Sequence, residues 1–273
     1  MTDLYAVFGN PIAHSKSPDI HQAFAEQTQQ NMQYNKQLVE IDAFTESCDE
    51  FFAGSGKGLN ITVPFKLEAY EYADSLSKRA RQAGAVNTLI KQDDGSILGD
   101  NTDGKGIIQD ITVNKQWAIK GKTVIVLGAG GAVRGILGPL LAEQPNKVFV
   151  ANRTLEKAQQ LATAFSREGN IEGLGFDQLP HHPTDLIING TSASLAGDMP
   201  PVPEAIIGEQ SHCYDMMYAK DPTVFMQWAG RLGCHNLTDG LGMLVEQAAE
   251  SFFLWRSKQP KTHDLIEHLR RGL

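Results

Sequence analysis

The sequence predicts an α/β protein of two domains, and three observations carry that prediction. Short apolar runs that read as strands alternate with helical segments along all 273 residues, as in βαβ units with mainly parallel strands. A glycine-rich turn follows an apolar run near the middle of the chain. The length allows one large or two medium-sized domains, and we interpret the chain as two. We expect one domain over residues 1–104 plus 241–273, with the C-terminal helices packing back on it, and a second domain over residues 105–240.

The composition bounds the class of protein. The chain is 41% hydrophobic and 21% charged, which is ordinary for a globular protein, and its net charge of −8 argues against a nucleic-acid partner. We expect no signal peptide, no membrane span and no membrane-surface binding. Three scattered cysteines, Cys48, Cys213 and Cys234, fit a reducing, cytoplasmic location. No pair of histidines has metal-ligand spacing within a periodic element, so we expect no metal site.

The elements of the first domain follow from apolar periodicity, turn residues and prolines. Ser17 and Pro18 predict a helix start, with Ser17 as its N-cap. Asp93-Asp94-Gly95 predicts the turn of a β-hairpin. The predicted strands are 4–8, 38–41, 58–62 and the hairpin strands 85–91 and 96–99; the predicted helices are 18–30, 43–53 and 64–83, the last one long and amphipathic.

The second domain repeats the alternation, starting from a helix that begins at Gly104. The segment 168–176 reads as a short edge strand or a loop. The predicted strands are 124–127, 147–150, 186–189, 213–215 and 236–238, and the predicted helices include 133–142, 241–255 and 262–271.

The glycine-rich turn Gly128-Ala129-Gly130-Gly131-Ala132 stands between a β-branched run and a helix. In this context Gly-x-Gly lets the backbone approach a pyrophosphate, which the N-terminus of the next helix binds. This predicts a Rossmann-type dinucleotide-binding domain. Val133 occupies the third glycine position of the usual pattern. An ordinary tight turn between strand and helix is the alternative.

The end of the next strand indicates which dinucleotide binds. Proteins that use NAD place a carboxylate there to bond the ribose, whereas this chain has Asn152-Arg153-Thr154, followed by Lys157. A guanidinium can grip a 2′-phosphate in a bidentate manner, so the residues favour NADP. A solvated arginine at a strand end is the alternative reading.

Lys66 is the sharpest candidate for catalysis. Val63-Pro64 predicts that a helix begins just before Lys66, where the positive end of the helix dipole disfavours a cation by about 0.3–1 kcal/mol. A residue that breaks a local rule at the end of a strand is a functional candidate, although most lysines are simply exposed. Asp103 lies in the polar segment 100–104 and can orient Lys66; the alternative for that segment is a plain turn.

Four further polar residues are candidates for the site, and Asn87 is expected to face the same cleft as Lys66. Ser15 and Ser17 follow the first strand, Asn87 begins the hairpin, and Gln247 interrupts an apolar helical run. A buried amide needs partners, which are either backbone groups or a polar ligand.

Together these motifs resemble the shikimate dehydrogenases of the bacterial biosynthetic type over nearly the whole chain. The resemblance rests on the order and spacing of the segments 9–18, 60–66, 84–88, 100–104, 128–132, 152–154 and 239–247. Gly190 and Ser194 depart from it, since the family usually carries Ala and Gly there.

The resemblance implies a reaction and a role for each matching residue. The reaction is the NADP-dependent interconversion of shikimate and 3-dehydroshikimate on the route to chorismate and the aromatic amino acids. The implied catalytic pair is Lys66 and Asp103. The implied substrate-binding residues are Ser15, Ser17, Thr62, Lys66, Asn87, Asp103, Tyr218 and Gln247, and the implied cofactor-binding residues are Gly128, Ala129, Gly130, Gly131, Ala132, Asn152, Arg153, Thr154, Lys157, Met216 and Gly240.

Two other functions share part of the pattern. A quinate/shikimate dehydrogenase has the same fold and pair but often uses NAD, which Arg153 without a neighbouring carboxylate argues against. A non-catalytic NADP-sensing module needs the glycine turn and Arg153, but not Lys66 and Asp103. The sequence leaves the oligomeric state open, a homodimer included.

Overall fold

The computed structural model describes residues 2–191, 193 and 197–273, and it divides into two compact units. The first unit comprises Met1–Gly106 and Val245–His268, and the second comprises Ile107–Leu244 and Leu269–Leu273. Each unit is built on its own six-stranded sheet.

The first unit has a mixed sheet in the order β2-β1-β3-β5-β6-β4. Strands β1, β2 and β3 are parallel, and the hairpin β5–β6 pairs antiparallel to β3. The strands are β1 (Asp3–Gly9), β2 (Met32–Leu38), β3 (Gly56–Ile61), β4 (Ser75–Leu76), β5 (Thr88–Lys91) and β6 (Ile97–Asp100). The α-helices in the N-terminal segment of this unit are α1 (Ser17–Thr28), α2 (Phe44–Ala53), α3 (Lys66–Tyr72), α4 (Lys78–Ala83) and α5 (Asp103–Gln109), which continues past its boundary.

The core of this unit lies between the apolar face of the sheet and helices α2 to α4. Phe8, Leu59 and Leu89 from three neighbouring strands are completely buried, together with Phe65, whose ring stacks on that of Phe44. This packing fixes the sheet edge from which the polar loops of the unit emerge.

Three local predictions for this unit are wrong, each for a physical reason. The second strand is Met32–Leu38 and not 38–41, because its exposed residues are mostly polar and give no apolar run. The long helix at 64–83 is two short helices, since Ser77 caps α4 by accepting from Ala80 N, and residues 75–76 pair with β6. Ser17 is the first residue of α1 rather than its N-cap; that position is Lys16, which makes no side-chain cap.

The second unit has an all-parallel sheet in the order β12-β11-β10-β7-β8-β9. The order reverses between β7 and β10, which is the point where doubly wound sheets bind dinucleotides. The strands are β7 (Thr123–Leu127), β8 (Lys147–Asn152), β9 (Ile171–Gly175), β10 (Leu186–Asn189), β11 (His212–Asp215) and β12 (Asn236–Thr238). The remaining α-helices within the described residues are α6 (Gly131–Ala142), α7 (Leu155–Phe165), α8 (Val224–Arg231), α9 (Leu241–Arg256) and α10 (His263–Arg271).

Both faces of the second sheet are covered. Val124 and Val126 pack under α6 on one face, whereas Ile125 and Leu127 pack towards α8 on the other. Because a parallel strand is buried on both sides, it reads as a continuous apolar run, which is why the sequence predicts these strands to within a residue or two. The segment 168–176 contains the edge strand β9.

Candidate active site and dinucleotide site

The first unit brings Lys66 and Asp103 into direct contact. Lys66 begins α3 just after β3, and Asp103 begins α5 just after β6. Lys66 Nζ lies 2.5 Å from Asp103 Oδ2, with the two side chains 31% and 13% exposed. The pair is therefore shielded on most sides and still reachable by a small molecule.

Asn87 holds the other oxygen of Asp103. Its Nδ2 donates to Asp103 Oδ1 at 2.8 Å, while its Oδ1 accepts from the backbone N–H of Thr102 at 2.9 Å. A backbone N–H can only donate, so this bond fixes the orientation of the amide. Asn87 Nδ2 also lies 3.3 Å from Gln247 Oε1. Four of the predicted residues thus form one cluster: Lys66, Asn87, Asp103 and Gln247.

Ser15 lies in the loop after β1, Ser17 begins the helix that follows that loop, and Thr62 lies in the loop after β3. These two strands are parallel neighbours, so their carboxyl ends meet at one edge of the sheet. Gly9 makes the close approach possible, because a Cβ there would lie 2.4 Å from Thr62 Cγ2. Ser15 Oγ accepts from Ser17 N at 3.3 Å, and Ser17 is 9% exposed.

Sequence reasoning missed a buried polar network beneath this cluster. Asn60 Nδ2 donates to Ser251 Oγ at 3.0 Å, and its Oδ1 accepts from Tyr34 at 2.7 Å and from His21 at 3.0 Å. Thr88 Oγ1 joins the network 2.8 Å from Ser251 Oγ. These residues come from separate strands and helices, so no local spacing could reveal them. Asn60 alone could have been noticed in the sequence, because it is the first residue of the segment 60–66 that carries the family resemblance.

In the second unit the glycine turn has the geometry that a pyrophosphate requires. Gly128 has φ +104°, which favours glycine, and Gly130 is the N-cap of α6 without any side-chain cap. A Cβ added at Gly130 or Gly131 would meet nothing within 4 Å, so open space lies in front of the helix N-terminus. The turn, which includes Ala129 and Ala132, therefore fits a dinucleotide phosphate.

The strand next to this turn ends in exposed cationic side chains. Asn152 Nδ2 donates to Thr154 O at 3.0 Å and closes the loop after β8, which leaves Arg153 and Lys157 on the surface. Within the part of the chain that the structure describes, neither Arg153 nor Lys157 forms a salt bridge. Both cations are thus free to meet a phosphate, which fits NADP.

Met216 and Gly240 lie side by side at the ends of β11 and β12. A Cβ at Gly240 would lie 2.2 Å from Met216 O, so only glycine fits, and Gly240 N donates to Met217 O at 3.0 Å. Tyr218 follows in the same loop, and burial, with a smaller contribution from Asp239, raises its pKa. The phenol therefore stays protonated at neutral pH and can donate a hydrogen bond.

Gly190 is packed closely against the glycine turn. A Cβ there would lie 2.4 Å from Val133 Cγ2 and 3.1 Å from Met216 Sδ. Gly190, which departs from the family pattern, therefore lies against Val133, the residue in the third position of the general glycine pattern. Ser194 lies outside the described residues.

Neither a metal cluster nor a membrane-spanning helix occurs among the residues described. No group of three or more His, Cys, Asp or Glu side chains in those ranges is arranged to hold a metal ion. No helix there combines the length and the apolar character needed to cross a bilayer.

The fold and the two clusters define the class as a dinucleotide-dependent oxidoreductase, and comparison with known proteins gives its family. Three family models match: the shikimate dehydrogenase substrate binding domain over residues 7–89, the shikimate/quinate 5-dehydrogenase over 111–196, and the shikimate 5′-dehydrogenase C-terminal domain over 240–270. The chain belongs to the shikimate dehydrogenase family, which confirms the resemblance and the predicted two-domain α/β fold.

Individual relatives match along the full length. The chain is 58% identical to the shikimate dehydrogenase (NADP(+)) of Cellvibrio japonicus, over 100% of this chain and 99% of the relative. Among solved structures, an Ael1 enzyme from Pseudomonas putida is 41% identical with a TM-score of 0.93, covering 98% of both chains. The shikimate 5-dehydrogenase of Thermus thermophilus, solved with NADP(H) and shikimate, is 30% identical with a TM-score of 0.87, covering 100% of both chains.

Proposed function

We propose that the chain catalyses the reversible, NADP-dependent interconversion of shikimate and 3-dehydroshikimate on the route to chorismate and the aromatic amino acids. The observation that carries this proposal is the 2.5 Å contact between Lys66 Nζ and Asp103 Oδ2, placed at the end of the sheet where Ser15 and Ser17 also lie. Membership of the family and the NADP(+) in the relatives' names support both the reaction and the cofactor.

The reaction requires a group that exchanges a proton with the substrate, and Lys66 and Asp103 fill this role. When the C3 carbon of shikimate gives up a hydride, the proton of the C3 hydroxyl must leave as well. Lys66 and Asp103 form the acid/base that takes this proton and returns it in the reverse direction. NADP supplies the hydride acceptor, and the protein supplies position and charge.

The remaining side chains suit the other groups of the substrate. Ser15 and Ser17 bind the carboxylate through hydroxyl groups. The ring hydroxyls are bound by side chains that can both donate and accept: Thr62, Asn87, Tyr218 and Gln247. For the cofactor, the pyrophosphate lies at Gly128, Ala129, Gly130, Gly131 and Ala132, the 2′-phosphate at Asn152, Arg153, Thr154 and Lys157, and the nicotinamide end near Met216 and Gly240.

Steady-state kinetics with two substrates and two cofactors tests the proposal. Shikimate and quinate are each offered with NADP and with NAD. We expect shikimate with NADP to give the highest kcat/KM, because Arg153 and Lys157 match the extra phosphate. Preferred turnover of quinate with NAD would identify the chain as a quinate/shikimate dehydrogenase instead. Absence of turnover with either substrate refutes the proposal.

Cellular location and assembly are predictions from the sequence. We propose a cytoplasmic enzyme that binds no nucleic acid and acts on small molecules, and a homodimer is an assembly to test. Light scattering at micromolar concentration distinguishes a mass of 29.8 kDa from twice that value.

A further inference from the structure

Arg79, in α4, forms a charged cluster that the predicted site does not include. Its Nε and Nη2 donate to the two carboxylate oxygens of Asp100 at 2.7 and 2.9 Å, and its Nη1 donates to Glu250 Oε1 at 2.8 Å. The three side chains are 25%, 6% and 16% exposed, so solvent screens these contacts only in part. A bidentate bond between a guanidinium and a carboxylate fixes geometry as well as adding charge attraction.

The first contact of Arg79 leads to Asp103. Asp100 ends β6, and its Oδ1 also accepts from Asn101 N at 2.7 Å. Asn101 Oδ1 in turn accepts from Asp103 N at 3.1 Å. The turn that carries Asp103 is therefore held at its start by the carboxylate that Arg79 grips.

The second contact of Arg79 leads to Gln247. Glu250 and Gln247 are three residues apart on α9, so they lie on neighbouring positions of one helix face. The guanidinium of Arg79 thus contacts two elements of the site. Through Asp100 it holds the turn that carries Asp103, and through Glu250 it holds the helix that carries Gln247.

We propose that Arg79 is a positioning residue for the reaction, with its contact to Asp100 fixing the acid/base and its contact to Glu250 fixing the substrate-binding amide. This inference rests on the proposed function. Lysine cannot replace Arg79, because a point charge lacks the planar fork that engages both oxygens of Asp100. Small misplacements of a reacting group are costly, so a loose turn reduces the rate even when the protein is folded.

The test uses Arg79→Lys, Glu250→Ala and a matched control, Arg256→Lys. Arg256 is also a partly buried arginine of the first unit, where it pairs with Asp3 and donates to Gln30 Oε1 at 3.0 Å. We expect Arg79→Lys to lower kcat by about 10- to 100-fold. Glu250→Ala should raise KM for shikimate about threefold to tenfold with little change in kcat, as for the loss of one supporting hydrogen bond. Arg256→Lys should leave kcat and KM within about twofold of the wild-type values, although its loss of thermal stability should be similar to that of Arg79→Lys.

Amide hydrogen exchange of the segment 100–104 provides a readout that does not depend on turnover. We expect exchange of the Asn101 and Asp103 amides to be about tenfold faster in Arg79→Lys, and unchanged in Arg256→Lys. If the wild-type protein turns over no shikimate, the proposed function fails. Amide hydrogen exchange of the segment 100–104 then still tests whether Arg79 holds the turn that carries Asp103. If Arg79→Lys leaves both kcat and exchange unchanged, or if Arg256→Lys reproduces its effects, Arg79 is not a positioning residue.

Discussion

Both oxygens of the Asp103 carboxylate are occupied, one by Lys66 Nζ at 2.5 Å and the other by Asn87 Nδ2 at 2.8 Å. Asn87 therefore fixes the carboxyl group of Asp103, and that carboxyl group fixes the amino group of Lys66. A substrate hydroxyl that enters beside the pair meets the amino group of Lys66 and the carboxyl group of Asp103 in fixed positions, which is the arrangement that proton transfer needs.

Lys66→Ala should lower kcat by about 10²- to 10⁴-fold, the usual contribution of a positioned acid/base, with a smaller effect on ligand binding. Asp103→Asn should also reduce turnover, since it removes the charge that holds Lys66. The two losses should not add in the double variant, because the residues act as one unit.

Lys57→Ala is the control for this series. Lys57 is an exposed lysine near the start of β3, whereas Lys66 follows the end of that strand. Its removal should leave kcat unchanged. A folded Lys66→Ala variant that binds shikimate and NADP and keeps near-normal kcat would refute the role of the pair.

Arg153→Ala should weaken NADP selectively. A charge-assisted bond to the 2′-phosphate contributes about 1.5–3 kcal/mol, which corresponds to roughly 10- to 160-fold in Kd. Titration with NADP and NAD measures the two affinities, and Arg167→Ala, another exposed arginine of the second unit, is the control. Equal weakening of NADP and NAD shows that Arg153 supports the loop rather than the phosphate.

The parallel strands of the second unit were predictable because burial on both faces makes them continuous apolar runs, as in β7 and β10. The glycine turn was predictable because Gly-x-Gly follows such a run. Strand β2 was not, since Gln33, Asn35 and Gln37 are polar residues of an edge strand and resemble a loop.

The site was predictable in its residues but not in its connections. Lys66 and Asp103 stand out in the sequence because each lies in a polar segment next to a predicted strand. Their contact depends on β3 and β6 ending at the same edge of the sheet, which is a consequence of topology. The contacts of Arg79 could not be predicted from the sequence, because its partners Asp100 and Glu250 are 21 and 171 residues away along the chain.

Ser17→Ala should raise KM for shikimate, and any loss of stability should come from its hydrogen bond with the buried Tyr34, because Ser17 does not cap α1. Ser15→Ala should also raise KM, and it removes the acceptor for Ser17 N. One hydrogen bond to a carboxylate is worth about 1.5–3 kcal/mol. Kinetics and urea unfolding of both variants check this, and an unchanged KM in both removes Ser15 and Ser17 from the carboxylate site.

His21 should stay neutral in the folded protein down to acidic pH. Burial lowers its pKa to about 3 from 6.5, and the bond to Asn60 opposes that shift. Below pH 6.5 the unfolded chain therefore binds a proton that the folded chain does not. The contribution of His21 to the free energy of unfolding is full above pH 6.5 and falls, by up to a few kcal/mol, as the pH decreases towards 3.

NMR of the histidine ring protons measures this directly. The His21 signal, assigned from its loss in His21→Gln, should not move between pH 8 and about 5. A midpoint near 6.5 for His21 contradicts the prediction.

Gly190→Ala should destabilise the protein, and Val133→Ala should relieve most of that cost. The new Cβ at position 190 would lie 2.4 Å from Cγ2 of the fully buried Val133, and such overpacking costs about 1–3 kcal/mol. Val133→Ala removes the clashing methyl group, so the double variant should be more stable than the sum of the single effects by about 1–2 kcal/mol. Urea unfolding of the four proteins gives this coupling. Gly230→Ala, in α8 with its nearest atom at 3.4 Å, is the control for the substitution itself. Additive free energies would show that the two positions accommodate alanine independently.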